Sequence, residues 1–190
     1  MFFEHWIYSL AIAIFVGMVY FKFTGRDYAW IIVASAYVPD MDIAADAVLK
    51  KIGVTVLLYG EPIRHGDFHN ILFLLLFAVS VALLLHPLGI KLKDSCLFAG
   101  IGFGAHLFED ALIANPSYPF FWPLSMERFG IGFFEYSYDW HGIANTEVLF
   151  VGVLLVLLAA MVRTAYEGVG WRWVTRSIIN CLPEVTRTLK

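Results

Sequence analysis

The segment FGAHLFEDALI, residues 103–113, places a histidine, a glutamate and an aspartate in an otherwise apolar stretch. His106 and Asp110 are four residues apart, so on a helix both side chains project from the same face. An imidazole and a carboxylate on one face can hold a divalent transition metal. Glu109 lies about 100° around the helix from Asp110, and we therefore assign it to the surroundings of the site or to the substrate side.

Three other segments carry the same kinds of side chain. VPDMD supplies Asp40 and Asp42 directly after a proline, which removes a backbone donor and loosens the helix. RHGDFHN supplies His65 and His69, and His5 stands near the start of the chain. Carboxylates mixed with imidazoles suit Zn²⁺, with Mn²⁺ or Fe²⁺ as alternatives, better than Ca²⁺ or Mg²⁺. The number of ligands allows one divalent metal ion or two ions that share a carboxylate.

Long apolar blocks must position these residues. The chain of 190 residues is 60% hydrophobic, whereas soluble domains are about 45–50% apolar. Its mean hydropathy is +0.73. We therefore predict an all-α integral membrane protein with a bundle of about five transmembrane helices. The predicted spans are residues 5–22, 28–38, 70–90, 95–113 and 143–166.

Two further regions of the chain have a distinct composition. Residues 1–170 are predicted to form one transmembrane helical domain, whereas residues 171–190 alternate basic and apolar side chains. We expect this C-terminal segment to lie on the membrane surface as an amphipathic helix. The stretch from Tyr118 to Trp140 contains ten aromatic residues, which are typical of a membrane–water interface. This stretch either forms an aromatic belt or covers the substrate.

The basic residues indicate how the chain crosses the membrane. With five spans and the C-terminus inside, nine Lys and Arg residues fall on the inner side and four on the outer side. Cytoplasmic loops carry the excess of Lys and Arg. We therefore predict an N-out, C-in protein of the cell (plasma) membrane, with its active site facing the outer side.

This topology brings the polar residues to one layer of the membrane. At a rise of about 1.5 Å per residue, Asp40 and His106 lie about 18–20 Å above the inner ends of their helices. Ionisable groups at such depth cost at least ~2.5 kcal/mol each. A cation that several of them share offsets this cost, and this favours a metal site.

Composition also excludes several classes of partner and site. A net charge of −3 provides no basic surface for nucleic acid. Cys96 and Cys181 are too few and too distant in sequence for a disulfide framework or a thiolate metal site. The expected partners are therefore a membrane lipid and a divalent metal, and the sequence indicates no oligomeric state.

The polar motifs occur in an order that resembles a known family. EHW, VPDMD, RHGDFHN, AHLFEDAL and YPFFWPLS follow one another within residues 4–125. This order is similar to that of the YdjM-like predicted membrane-bound metal-dependent hydrolases, which show an N-terminal His, PD-x-D, H-R-G-x-x-H, H-x-x-x-D and a closing W-P. The set of Asp and His residues also resembles the metal cage of zinc-dependent phospholipase C and the P1-type nucleases, which cleave phosphoesters.

The resemblance implies a primary metal site formed by Asp42, His69, His106 and Asp110. His5 and Asp40 would then complete a second ion or the shell around the first. The chain departs from the family at one point, because the H-R-G of the family reads RHG here. Arg64 and His65 are thus exchanged, and the role of His65 stays open.

From these features we expect a membrane-bound metal-dependent hydrolase that cleaves a phosphoester of a lipid or lipid-linked substrate at the outer membrane interface. A bound ion would lower the pKa of its water to about 7 and so create the nucleophile. Asp40 would orient that water or accept its proton, and His65 would help to neutralise charge on the phosphoester. Arg64 and His141 are the expected substrate-binding residues.

The main alternative is a transport or metal-handling protein, because intramembrane acids and histidines also line ion pathways. A pathway needs polar residues that continue toward the inner side, where His86 is the one histidine. A third alternative is a structural membrane protein whose metal fastens the helices together.

Overall fold

The computed structural model describes residues 2–58, 61–113, 117–133 and 146–168. The all-α class is confirmed, with one short hairpin beside the helices. The helices are α1 (Phe2–Thr24), α2 (Ala29–Ser35), α3 (Met41–Lys51), α4 (Ile71–Leu85), α5 (Leu92–Ile113) and α6 (Thr146–Glu167). The remaining elements are a 3₁₀ turn after α4 (His86–Leu88) and two antiparallel strands, β1 (Leu57–Leu58) and β2 (Glu61–Pro62).

Three helical stretches are long and apolar enough to cross a membrane: Phe3–Thr24, Ile71–Leu88 and Thr146–Glu167. Large apolar side chains such as Phe15 and Leu84 are exposed along them, as expected of surfaces that face lipid. The predicted bundle of five spans is therefore not supported, because the described part of the chain offers three. The predicted amphipathic segment 171–190 lies outside the described residues, and the domain division at residue 170 stays a prediction.

The other two predicted spans fail for different reasons. α2 has seven residues and reaches about 10 Å, well short of the ~30 Å hydrocarbon core. α5 has 22 residues, but Lys93 and Asp94 near its start and Glu109 and Asp110 near its end interrupt its apolar character. The predicted N-out, C-in orientation rests on five spans and so loses that basis.

α5 is the helix against which α1, α2 and α4 pack. Phe98 of α5 is fully buried in one cluster with Ile31 and Ile32 of α2. Gly102 allows this contact, since a Cβ at that position would come 2.4 Å from the carbonyl oxygen of Ile32. A glycine one turn before His106 therefore sets the backbone of α2 directly against α5.

A side-chain cap sets the start of α4. Asn70 Oδ1 accepts a hydrogen bond from the backbone N–H of Phe73 at 3.0 Å, which satisfies one of the free donors at a helix start. His69 therefore lies just outside the helix, in the turn that leads into it. The direction of the His69 side chain is therefore not fixed by the geometry of α4.

Buried ion pairs lie at the opposite end of the bundle, where α6 ends. Arg163 of α6 donates to the carboxylate of Asp27, which precedes α2, and both side chains are buried. Arg163 Nε also lies 3.1 Å from Glu167 Oε1. Arg26 pairs with the buried Asp94 at 3.0 Å. These pairs place opposite charges together and join the connection between α1 and α2 to α5 and α6 at this end.

Candidate metal centre

Four side chains from three segments direct one ligand atom each toward a common point, and we name these four residues the centre. The ligand atoms are Asp40 Oδ1, His69 Nε2, His106 Nε2 and Asp110 Oδ2. His69 Nε2 lies 3.3 Å from both His106 Nε2 and Asp40 Oδ1. Asp110 Oδ2 lies 3.2 Å from His69 Nε2 and 3.4 Å from His106 Nε2. Asp40 Oδ1 lies 3.5 Å from His106 Nε2.

Five of the six separations among the four atoms can be compared with the spacing of ligands around a zinc ion. Zinc binds imidazole nitrogen and carboxylate oxygen at about 2.0–2.1 Å, so neighbouring ligands of a tetrahedral site lie ~3.3 Å apart. The five separations range from 3.2 to 3.5 Å. Octahedral coordination at similar bond lengths would bring neighbouring ligands to ~3 Å. These five separations are closer to the spacing of neighbouring ligands in a tetrahedral site than in an octahedral one.

A backbone carbonyl orients His106. Its Nδ1 lies 2.7 Å from the carbonyl oxygen of Ala36. Because a carbonyl can only accept, Nδ1 carries the proton, and in the neutral ring Nε2 presents a lone pair to the centre. Ala36 follows the end of α2, and the close contact of α2 with α5 at Gly102 brings it within reach. Metal-binding histidines are usually held by a hydrogen bond of this kind.

His69 lies between an aromatic ring and a carboxylate. The ring centroid of Tyr118 is 4.2 Å from that of His69, and Asp42 Oδ2 is 3.7 Å from His69 Nδ1. This oxygen favours a proton on Nδ1, so Nε2 also presents a lone pair to the centre. Two imidazole lone pairs and two carboxylate oxygens thus converge in a buried space, which requires a cation or added protons.

The pKa values of the centre show how strongly it attracts positive charge. Burial lowers the pKa of His69, but the nearby carboxylates of Asp110, Asp40 and Asp42 outweigh burial and raise it to about 10. Burial raises the pKa of Asp40, but hydrogen bonds from His106 and His69 hold it well below its usual value. A divalent cation would compete with those protons, because ligation requires neutral imidazole and ionised carboxylate.

Asp42 lies outside the centre, and here the structure differs from the ligand set that the family resemblance implies. The Asp42 side chain is fully buried and accepts a hydrogen bond from the backbone N–H of Gly66 at 2.7 Å. Its other oxygen lies 3.2 Å from His65 Nδ1. Asp40 precedes α3 and does not use its side chain as a helix cap, so the side chain can point at the centre. Of the two aspartates of VPDMD, Asp40 is the one with an oxygen within 3.5 Å of the Nε2 atoms of both His69 and His106.

His5 lies against the centre and contributes no atom to the four. Its ring stacks on that of His106, with the centroids 3.9 Å apart. His5 Nε2 lies 3.5 Å from Asp110 Oδ1, the carboxylate oxygen that is not directed at the common point. Glu109 Oε2 lies 2.7 Å from His5 Nδ1, so Glu109 supports the surroundings of the centre. His5, Asp40 and His106 also form a second grouping that could hold a metal.

His65 connects Asp42 to Tyr118 on the accessible side of the centre. His65 Nε2 lies 3.1 Å from the Tyr118 hydroxyl, and 45% of the His65 side chain is exposed. Gly66 allows the ring of Tyr118 to lie against the backbone, since the φ of Gly66 is +98° and a Cβ at that position would lie 2.5 Å from the ring. The side chain of Asp40 is 20% exposed, whereas the other three residues of the centre are almost fully buried.

Arg64 lies farther out, on an exposed surface where its guanidinium contacts Glu61 at 2.6 Å. It borders a cleft of about 260 Å³ that His65, Tyr118 and Arg128 also line. His141, the other predicted substrate-binding residue, lies outside the described residues.

Three contributors to this site were not selected from the sequence. Tyr118 belongs to the motif YPFFWPLS, so the signal was present although no role was assigned to it. Arg128 is an exposed arginine that nothing distinguishes from others until the cleft is seen. The backbone carbonyl of Ala36 could not be identified from the sequence, because every residue carries the same group.

Comparison with known proteins agrees with the family resemblance in part. No curated protein and no solved structure matches the chain, and the similarity to hydrolases and to zinc-dependent phospholipase C therefore stays a proposal. The profile described as YdjM inner membrane protein matches residues 1–176. This range covers the centre and the three candidate spans. The chain belongs to the YdjM inner membrane protein family.

Proposed function

We propose that this protein is a membrane-bound metal-dependent hydrolase that cleaves a phosphoester of a lipid or lipid-linked substrate at the membrane–water interface. The observation that carries the proposal is the spacing of the four ligand atoms, which suits a tetrahedral ion. The partly exposed Asp40 and His65 give this buried group an accessible side. A metal that only fastened helices together would need no such opening.

The donor set fits a divalent ion in a second respect. Asp110 Oδ2 is buried and makes no hydrogen bond within the described residues, although two imidazole nitrogens lie within 3.4 Å. A buried carboxylate oxygen without a hydrogen bond needs a positive partner. Mixed nitrogen and oxygen donors favour Zn²⁺, with Mn²⁺ or Fe²⁺ as alternatives. The grouping of His5 with Asp40 and His106 leaves room for a second ion.

A divalent cation at the centre would polarise a phosphoryl oxygen and lower the pKa of a bound water. The chain itself supplies the proton transfer. Asp42 would accept the Nδ1–H of His65 across 3.2 Å, which leaves His65 Nε2 with a lone pair beside the Tyr118 hydroxyl. From there Nε2 would accept a proton from the attacking water and return it to the leaving group. Asp40, which we expected to orient the water, is a ligand in this arrangement.

The surroundings of the cleft support an anionic lipid substrate. Arg64 and Arg128 both border the cleft, and a guanidinium binds phosphate oxygens in a two-pronged geometry. Phe121, Leu124 and Phe133 are exposed in the segment that follows Tyr118. Such side chains suit a membrane interface, and a cleft beside them would receive a headgroup. We further propose that this interface is the outer one.

The experiment is a turnover assay on the purified full chain, stripped with a chelator and reloaded with Zn²⁺ or Mn²⁺. The substrates are phospholipid vesicles and a chromogenic phosphodiester. We expect metal-dependent hydrolysis that Asp110→Ala abolishes while the helix content in circular dichroism is retained. His86→Ala is the matched control, because His86 is exposed at the far end of α4. Undiminished turnover in Asp110→Ala would refute the proposal.

A metal-handling or transport protein is the second candidate, since the same cluster could bind an ion without catalysis. The structure offers little support for a pathway through the described part of the bundle. Along α5, the buried Phe98 and Phe103 separate Asp94 from His106. Metal flux in proteoliposomes, together with no hydrolysis by the metal-loaded protein, would favour this candidate over the hydrolase.

A further inference from the structure

The chain between Asp40 and Arg64 leaves the helical bundle and then returns to it. This segment comprises α3 and the β1–β2 hairpin, and we name residues 41–63 the arm. In the described residues, α3 has no extensive contact with the long helices. Leu49 of α3 borders a small cavity together with Val54 and Ile63, which flank the hairpin.

α3 turns its apolar side chains outward. Met41, Ala44 and Val48 recur at helical spacing and are exposed, and Ile52 continues the row just past the helix. Val48 and Ile52 are 60% and 65% exposed. Asp42, on another face of the same helix, is fully buried. A helix that borders water shows the reverse pattern, with its polar face outward.

The apolar surface continues beyond α3. Val54, Val56 and Leu57 are exposed on the way to the hairpin and in its first strand. Exposed apolar side chains in such number mark a surface that contacts lipid or another protein. None of them belongs to the three candidate spans, so crossing the membrane does not account for their exposure.

Charge and position favour lipid as the contact. Lys50 and Lys51 stand at the end of α3 beside Ile52, and both are exposed; Lys51 follows Lys50, whose Nζ also lies 2.6 Å from Asp46 Oδ2 on the helix surface. Basic residues next to apolar ones are typical of segments that lie on anionic membrane surfaces. The arm also joins the bundle at the level of His69, two residues before the candidate span that begins at Ile71. The arm is therefore followed closely by a helix that is long and apolar enough to cross a membrane.

We infer that the arm is an interfacial anchor that lies along the membrane surface, with the outward row of α3 among the lipids and the two lysines at anionic headgroups. The anchoring does not depend on the proposed hydrolase activity. It has a consequence for the centre, because Asp40 immediately precedes the arm and His65 follows it closely. Contact of the arm with lipid would thus restrain Asp40 and His65, which border the accessible side of the centre.

The test places a fluorescent label at single positions of the full chain in a Cys96→Ser, Cys181→Ser background. Val48→Cys and Ile52→Cys lie on the outward row, and Leu49→Cys is the matched control one residue away on a half-buried face. Each protein carries an environment-sensitive nitrobenzoxadiazole label and is reconstituted in vesicles of phosphatidylcholine and phosphatidylglycerol. Nitroxide-labelled acyl chains report contact with lipid, and iodide reports contact with water.

We expect blue-shifted emission at positions 48 and 52, with stronger quenching by the nitroxide lipid than at position 49 and weak quenching by iodide. Unshifted emission that iodide quenches at 48 and 52 would show an arm in water and overturn the inference. Protection from both quenchers would show a protein partner, such as a second copy, and would overturn it equally. Circular dichroism of each labelled protein confirms the fold before reconstitution.

The lysines are tested in the same system. Lys50→Gln combined with Lys51→Gln should reduce nitroxide quenching of the label at position 52 in vesicles that contain phosphatidylglycerol. In vesicles of phosphatidylcholine alone the double variant should match the parent. Equal quenching of variant and parent in both kinds of vesicle would overturn the assignment of the lysines to anionic headgroups.

Discussion

His69 Nε2 and His106 Nε2 lie 3.3 Å apart between two almost fully buried rings. The proton of His106 is held on Nδ1 by the carbonyl of Ala36, so its Nε2 cannot donate to the other ring. Two nitrogen lone pairs at this distance repel each other unless a positive charge, either a proton on His69 or a metal ion, lies near both. The carboxylates of Asp40 and Asp110 attract the same charge, so the pair of histidines suits a cation that displaces the proton.

Removal of the metal should destabilise the protein. A ligand that binds the folded state alone stabilises it by about 2.7 kcal/mol at a concentration 100 times its Kd. The purified chain should contain zinc in elemental analysis, and a chelator should lower its Tm in detergent, with recovery on addition of Zn²⁺. A metal-containing protein whose Tm is unchanged after complete removal of the metal would contradict the buried centre.

The zinc affinities of two variants test which of the two aspartates is a ligand. Asp40→Asn should abolish metal binding at the centre, because it removes one of the two ligand charges. Asp42→Asn should still bind the metal, but with an affinity about 10–100-fold lower, which is the usual effect of losing a residue that only orients a ligand. Isothermal titration with Zn²⁺ compares the two variants. Equal loss of binding in both would place Asp42 in the ligand set, as the family resemblance implies.

His65→Gln should separate catalysis from metal binding. Gln keeps a polar side chain but cannot move a proton, and general acid–base catalysis contributes about 10²–10⁴-fold. We expect kcat to fall within that range while metal content and Tm stay close to those of the parent. A KM that rises while kcat is unchanged would instead assign His65 to substrate binding. Tyr118→Phe serves as the control that removes only the hydroxyl beside Nε2.

Gly102→Ala should disturb both packing and the centre. The added Cβ would come 2.4 Å from the carbonyl oxygen of Ile32, and overpacking of this kind typically costs about 1–3 kcal/mol. The displaced α2 would also move the carbonyl of Ala36 away from His106, so zinc affinity should fall. Gly100→Ala is the matched control, since its nearest neighbour would be Ala78 Cβ at 3.9 Å.

Unfolding in detergent and zinc titration together read out this pair of variants. Gly100→Ala should be neutral or slightly stabilising, because alanine favours a helix by about 1 kcal/mol over glycine. Equal stability of the two variants would show that α2 does not press on α5 at Gly102.

The sequence alone predicted the helical membrane class and several residues of the cation site. Apolar blocks identified a helical membrane protein because the helices that meet lipid must be apolar over their whole length. The spacing of His106 and Asp110 placed both on one helix face, and their cost inside an apolar segment predicted a shared cation. His69, which lies outside a helix, was identified because an imidazole beside several acids suits the same ion.

Only the tertiary structure decided which residues meet. Asp40 and Asp42 are chemically alike and two positions apart, and the direction in which the chain leaves α2 and enters α3 determines which one reaches the centre. The position of the Ala36 carbonyl beside His106 depends on a contact between segments 70 residues apart. Local periodicity reports which face of one helix is apolar, whereas a ligand set depends on distances between helices that packing alone determines.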